Sequence, residues 1–495
     1  MRLSKQNRLH YIWLVLVLIS TLFTQLAFGY DLEKDVVEFK LNNGMRWLLV
    51  KRHRAPVFSG IVIVRVGGAD EVPGKTGLAH VFEHMAFKGT SRLGTRNFAK
   101  EKPILDEIER VGEELTKAEQ EGDKQKAKEL EAEFKSLSEK EAAYQIKNEV
   151  WELMVRNGAS DLNAYTSKDV TAFHSSMPIN RLALWMDIIS QMVAEPAYRE
   201  FYTERNVILE ERRSGVENNP DGKMSDLLLE TASQEGPYHW SVSGTSEDIK
   251  GFTIKDAREF HDRYYVAPNM VGVLVGDLNI DQTKKLLERY FGSIPATPPP
   301  THEEIYHNKG GGIKKLRFNA EPATIIAYHK PTLPNPDEFV FDVLETLLCD
   351  GPTSRLEKRL VYDEKVASEI SCTDSYPGSR LPNLMLIWAE PNRPHSAKEL
   401  ASKVEEELVR LQNEYVSDEE LSRVRTKVTA SILYSLEKNL GLAMSLAEFE
   451  AIYGDWRLIA KYPKLVEQVA ADDVMRAAKQ YFTKENMTEI LRLKK

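Results

Sequence analysis

Apolar residues alternate with polar ones from Val37 to Leu41, and a second apolar stretch runs from Trp47 to Val50. Asn42-Asn43-Gly44 lies between them, and Asn-Gly accepts the positive φ of a tight hairpin. The pattern predicts strands over Val36–Leu41 and Arg46–Lys51. The β-branched run Val57–Val66 predicts a third, ended by Gly67-Gly68. From Thr76 to Phe87 the period lengthens to that of a helix. Residues 101–150 differ in kind: Glu and Lys dominate, with Leu115, Leu130, Phe134 and Leu137 at helical intervals. They read as two exposed antiparallel helices that break near Gly122, a solvated insertion.

Strands are predicted again at Asp161–Thr166 and Val170–Met177, then helices at 180–194 and 199–216. A strand at Met270–Gly276 and a helix at 281–291 complete a first half. The cluster Pro295–Pro300, followed by Gly310-Gly311-Gly312, marks a linker. Beyond it the order recurs, with strands near 313–319 and 323–329 and a helix near 337–348. Strands near 366–375 and 383–389 follow, then helices to about 482. Element order makes the halves divergent copies of one α+β unit.

The start of the chain has a different character. Arg2, Lys5 and Arg8 precede an apolar run from Tyr11 to Phe23, and Ala27-Phe28-Gly29 has the small-x-small form of a signal-peptidase site. Residues 1–29 are expected to be a signal peptide, and the protein to be exported, periplasmic or secreted. The run is short of the roughly 20 apolar residues a span needs; an uncleaved anchor is the alternative.

Composition narrows the function classes. The chain has 495 residues, 42% hydrophobic and 28% charged, which suits a soluble multidomain protein. A net charge of −9 argues against general nucleic-acid binding, which needs a basic face. Two cysteines, Cys349 and Cys372, exclude a disulfide framework or a multi-cysteine metal site, and leave open one bridge or two reduced thiols.

The chemistry centres on His80-Val81-Phe82-Glu83-His84. At about 100° per residue, His84 lies about 40° from His80 and Glu83 about 60° from it on the other side. Two imidazoles can then grip one ion while the carboxylate stands beside it. Zinc favours nitrogen and oxygen ligands with one position left open. Glu83 is read as a base that moves a proton from the attacking water to the leaving amine, not as a ligand. His174, His239 and His261 read as ordinary surface or core residues. A third ligand is sought on the predicted helix bearing Glu204, Glu210 and Glu211. Seven residues apart, Glu204 and Glu211 share a face within about 20°, whereas Glu210 points elsewhere. One acid of the pair can bind metal while the other orients a histidine; spacing leaves open which.

Together these segments resemble the pitrilysin/insulinase family of zinc peptidases, which includes the mitochondrial processing peptidases. Gly77-Leu78-Ala79 and Met85-Ala86-Phe87-Lys88-Gly89-Thr90 flank the inverted motif as in that family. Leu162-Asn163-Ala164-Tyr165-Thr166 resembles its edge strand, and Glu204–Glu211 its glutamate helix. The resemblance implies Glu211 on a single Zn2+ with His80 and His84, Glu83 as catalytic base, and Glu204 behind His84. It implies substrate binding along Asn163, Ala164 and Tyr165. It also implies two α/β-roll domains, about 31–296 and 312–495, joined by the linker 297–311. Relatives form a chamber of four such domains, opened by hinging, in which an Arg and a Tyr of the opposing half hold the substrate carbonyl. Here Val361 and Ser368 stand at those positions; Arg355 belongs to the preceding Ser354-Arg355-Leu356 segment, and Tyr362 is one place off. The implied protein is an exported zinc endopeptidase for peptides or small unfolded proteins. It would work as a heterodimer with a homologous non-catalytic subunit that carries the Arg/Tyr pair. A homodimer is the weaker option, since two identical chains still lack that pair. The rival readings are a non-catalytic scaffold or peptide-binding subunit, and a zinc-stabilised structural domain.

Overall fold

The computed structural model describes residues 32–301 and 309–495; the expected signal segment and the middle of the linker lie outside them. The first half supplies β1 (Val36–Lys40), β2 (Arg46–Lys51), β3 (Val57–Val64), β4 (Ser160–Thr166), β5 (Thr171–Pro178) and β6 (Met270–Gly276). They form one sheet in the order β1-β2-β6-β3-β5-β4. The second half supplies β7 (Gly312–Phe318), β8 (Ala323–Lys330), β9 (Ala367–Tyr376), β10 (Asn383–Pro391) and β11 (Met487–Lys494), in the order β7-β11-β8-β10-β9. With β1 set aside, the two sheets superpose strand for strand. Each has one parallel pair, β2 with β6 and β7 with β11, and is otherwise antiparallel. The internal duplication inferred from element order is thus present in the topology.

Helices cover both sheets. Those used below are α1 (Leu78–Ala86), α2 (Phe98–Glu121), α3 (Lys124–Glu141), α4 (Leu182–Ala194), α5 (Phe201–Arg212), α6 (Pro220–Ala232), α7 (Asp337–Cys349) and α8 (Asn439–Glu448). The pair α2 and α3 is the expected insertion, broken by Gly122 at φ +74°. On the core side of the first sheet, α1 and α4 bury Phe82, Met85, Trp185 and Met192.

Each half also lends a helix to the other. Met224, Leu228 and Ala232 of α6 pack on Ala323, Ile325 and Leu384 of the second sheet. Leu442, Ala443 and Leu446 of α8 pack on Leu48, Ile61 and Val273 of the first. Polar contacts reinforce the exchange: Arg380 pairs with buried Asp70 at 2.9 Å, and the Ser379 amide donates to Asp169 at 2.6 Å. Hinging within the chain at the linker would tear two shared cores apart. The resemblance implied that the chamber opens by a hinge at the linker 295–312, and this is corrected: the two halves form one packed unit.

Two features were not expected, and a third, the state of the cysteines, had been left open. The segment from 217 to 269 holds helices at Pro220–Ala232, Ser246–Lys250 and Ile254–Tyr264. The chain ends in β11, which sits inside the second sheet between β7 and β8. Cys349 at the end of α7 is joined to Cys372 of β9 in a disulfide.

Candidate active site

Leu78, Ala79, Val81, Phe82, Met85 and Ala86 carry one face of α1 into the core. The spacing of those apolar positions leaves His80, Glu83 and His84 as the opposite stripe. Gly77 begins the helix at φ +102°, a conformation suited to glycine. It has no side chain with which to cap, so Glu71 takes that role. The Gly77 and Ala79 amides donate to its two carboxylate oxygens at 2.8 Å each. Burial nevertheless holds the Glu71 carboxyl above its usual range.

The imidazoles of His80 and His84 stand edge to face, 4.9 Å between centroids. Glu211 reaches them from α5, with Oε2 3.9 Å from His80 Nε2 and 3.7 Å from His84 Nε2. One ligand atom from each of the three lies within 4.8 Å of the others. Ligands about 2.0–2.2 Å from a shared ion stand roughly 3.5 Å apart in a tetrahedron, so small rotations would close the set. Glu211 is half exposed and able to make them. The donor set of two nitrogens and one carboxylate fits zinc, and no fourth protein ligand joins it among the described residues.

Two turns earlier on α5, Glu204 Oε2 lies 3.2 Å from His84 Nδ1. Accepting there fixes the tautomer that leaves the His84 Nε2 lone pair aimed at Glu211. Lys88 holds the other Glu204 oxygen and also reaches Glu200 at 3.3 Å. Burial would raise Glu204, but its bonds to His84 and Lys88 prevail and keep it below the usual range. Burial would lower His84, but Glu204, Glu211 and Glu83 prevail and raise it. His80 has no such support: burial, then His84, push it down to about 4. Its Nδ1 is buried with no hydrogen-bond partner among the described residues. Glu210 turns outward to Arg213.

Glu83 accepts from Thr166 Oγ1 at 2.6 Å, and burial raises its carboxyl above the usual range. A base shifted toward neutrality both takes and returns a proton more readily. Among the described residues β4 pairs only with β5, so its other edge is open beside α1. Side chains alternate across the sheet. Ala164 packs in the core beneath α1 and Thr166 meets Glu83, whereas Tyr165 turns to the opposite face and donates to Glu448 of α8. Asn163 shares the Tyr165 face. Of the expected substrate-binding residues, Asn163 and Tyr165 therefore offer the site backbone groups and not side chains. Thr166 was placed on the edge strand but its bond to Glu83 was not foreseen; period-two alternation past Ala164 was the signal for it.

His174 and His261 are buried within the fold, and His239 bonds the Ser233 carbonyl. Arg355 is held by both oxygens of Glu420 and lies 3.6 Å from Glu407. Tyr362 is exposed, Val361 packs against the second core, and Ser368 is exposed on β9.

Comparison with known proteins supports the fold and the family. The description "Insulinase (Peptidase family M16)" matches residues 46–126 and 132–246, and "Peptidase M16 inactive domain" matches 251–428. The chain belongs to this M16, or insulinase, family of peptidases. It is 24% identical over 462 residues to the zinc protease PqqE of Helicobacter pylori, covering 91% of each chain. It is 25% identical over 341 residues to the mitochondrial-processing peptidase subunit beta of Neurospora crassa, covering 66% of this chain and 71% of that one. A crystal structure of a protease from Helicobacter pylori shares the fold with a TM-score of 0.76 and 23% identity, over 92% of this chain and 99% of that one. The periplasmic protease PqqL of Escherichia coli aligns with a TM-score of 0.68 and 17% identity, over 93% of this chain but only 48% of PqqL.

Proposed function

We propose that this chain is an exported zinc-dependent endopeptidase acting on peptides or small unfolded proteins. The observation that carries this reading is the convergence of His80 Nε2, His84 Nε2 and Glu211 Oε2, with the Glu83 carboxylate alongside. These three side chains are assigned as ligands of one ion per chain. When bound, zinc supplies Lewis-acid polarisation of the scissile carbonyl and acidifies the attacking water. Glu83, held through Oε2 by Thr166, takes the water proton on its other oxygen and delivers it to the leaving amine. Glu204 positions His84 without touching substrate. The substrate adds as a strand to the open edge of β4, pairing through main-chain groups and so reading sequence loosely.

Export and partnership belong to the same proposal. The basic, apolar and small-residue leader supports export, as does the Cys349–Cys372 bridge, which persists in oxidising compartments. A homologous subunit would close the chamber and bring the Arg/Tyr pair. In support, Val361 and Ser368 cannot play those parts, Arg355 is occupied by Glu420, and the chain matches about half of PqqL. The second reading, a non-catalytic peptide-binding or scaffold subunit, draws on the inactive-domain match, although that match covers the half without the metal triad. The deciding experiment measures cleavage of a quenched peptide library by the purified chain, alone and with homologous subunits, alongside zinc content. Zinc binding with weak activity alone, and turnover that rises with a partner at constant zinc, supports the proposal. Zinc-loaded chain inactive with every partner supports the scaffold reading. Full activity as a monomer, or from a second copy alone, removes the heterodimer.

A further inference from the structure

A cavity of about 570 Å³ lies away from the metal triad, between the insertion helices α2 and α3 and the segment that leads into α5. That volume is typical of a small-molecule site. Aromatic rings of Phe134, Tyr198, Phe201 and Tyr202 wall it, and Glu141 faces it from the end of α3.

Among the described residues the other charges around it are paired with opposite charges, whereas Glu141 shares a hydrogen bond with the carboxyl of Glu101 and feels Arg199 only at a distance. Arg258 forms two bonds to Glu109 at 2.6 and 2.7 Å, Lys102 pairs with Asp106, and Glu200 is shared by Lys88 and Lys147. Arg199, fully buried nearby, spends all five N–H groups: two on Glu101 and three on the carbonyls of Lys88, Thr90 and Leu93. None is left for Glu141. This carboxyl is only 5% exposed, and its Oε1 has no partner among the described residues. Burial, then the neighbouring Glu101, push it up to about 7. The Tyr198 hydroxyl is likewise buried and without a partner. The segment that presents it is costly to build, since Tyr198 and Glu200 both adopt positive φ, +53° and +56°.

A buried carboxyl bonded to no cation, with one oxygen left free in a pocket walled by aromatic rings, is the complement of an organic cation. The carboxylate neutralises its charge, and the rings of Phe134 and Phe201 attract it further, whereas Tyr198 and Tyr202 already face Arg258 and Arg205. We propose that this cavity is a binding site for a small organic cation, a primary amine or guanidine on an apolar body, with Glu141 as its counter-ion. It is separate from the peptide-cleaving site and independent of the assignment made there.

The test uses the full mature chain at pH 8 and isothermal titration with tryptamine, phenethylamine and agmatine. Indole-3-propionate serves as the anion matched in shape to tryptamine. At least one cation should bind saturably and the anion should not. Glu141→Gln should weaken that binding tenfold or more, and Ser138→Trp, which fills the cavity from α3, should abolish it. Zinc content should stay at its wild-type level in both, which separates loss of the site from loss of the fold. Absence of saturable binding by all three cations, equal binding of tryptamine and its anionic counterpart, or unchanged affinity in both variants would overturn the proposal.

Discussion

The Tyr165 hydroxyl donates to Glu448 Oε1 across 2.8 Å, tying the edge strand of the first sheet to a helix of the second half. Thr166, the next residue, points the other way and donates to Glu83. Adjacent side chains on β4 thus tie the two halves together and hold Glu83 respectively. Tyr165→Phe leaves a buried carboxyl without its donor, a loss of about 1–3 kcal/mol, while kcat stays near wild type. Thr166→Val frees Glu83 and lowers kcat about tenfold or more with little change in stability. Thermal unfolding and initial rates on the two variants check this. A large rise in KM without loss of stability in Tyr165→Phe would place that ring in the substrate groove.

Glu448 also sets a pH dependence. Burial holds its carboxyl above the ordinary 4.5, against the opposing pull of Tyr165. The folded state therefore binds more protons than the unfolded one above that pH. Its contribution is fully present below 4.5 and is lost as pH rises through the folded value. Glu448→Gln removes that loss and still accepts from Tyr165. Its urea midpoint should match wild type at pH 4, exceed it once the pH rises above 4.5, and keep that advantage at pH 8. A gap that narrows as pH rises contradicts the assignment.

The two roles assigned to acids near the triad separate by metal content. Glu211→Gln should lose zinc and activity together. Glu83→Gln should keep one zinc per chain and lose roughly 10²–10⁴-fold or more in kcat. Metal analysis on both, with peptide turnover, decides. Full zinc in Glu211→Gln removes it from the ligand set, and zinc loss in Glu83→Gln makes that residue a ligand.

The Cys349–Cys372 bridge spans 23 positions. Closing a loop of that length constrains the unfolded chain by about 3 kcal/mol. The double variant Cys349→Ala, Cys372→Ala should be destabilised by about that amount while zinc content is retained, because the bridge lies wholly in the second half. Chemical denaturation under oxidising conditions measures it, and an unchanged midpoint would rule the bridge out as a support of the fold.

What could be read along the chain was what is local. The strands before Val66, the helix over His80–His84 and the break at Gly122 depend on near neighbours and on Gly or Asn-Gly at fixed places. The helix at Pro220 carried a readable start, Asn219 capping and Pro in the first turn, that went unused. β11 carried none: Met487–Lys494 mixes Leu, Lys, Arg and Glu in a pattern that suits helix as well as strand. Its strand state comes from lying between β7 and β8.

The sequence by itself determined the stripe of His80, Glu83 and His84, because i, i+3 and i, i+4 spacing on one helix brings them together whatever surrounds them. It also determined the duplication, since element order survives loss of residue identity. Spacing left open which acid faces the imidazoles and the family resemblance pointed to Glu211, as the structure places it; only the tertiary structure decided that Thr166 and not Tyr165 meets Glu83, and that α6 and α8 are exchanged between halves. Each of these joins residues tens to hundreds of positions apart, and such a contact exists only once packing has chosen which faces meet.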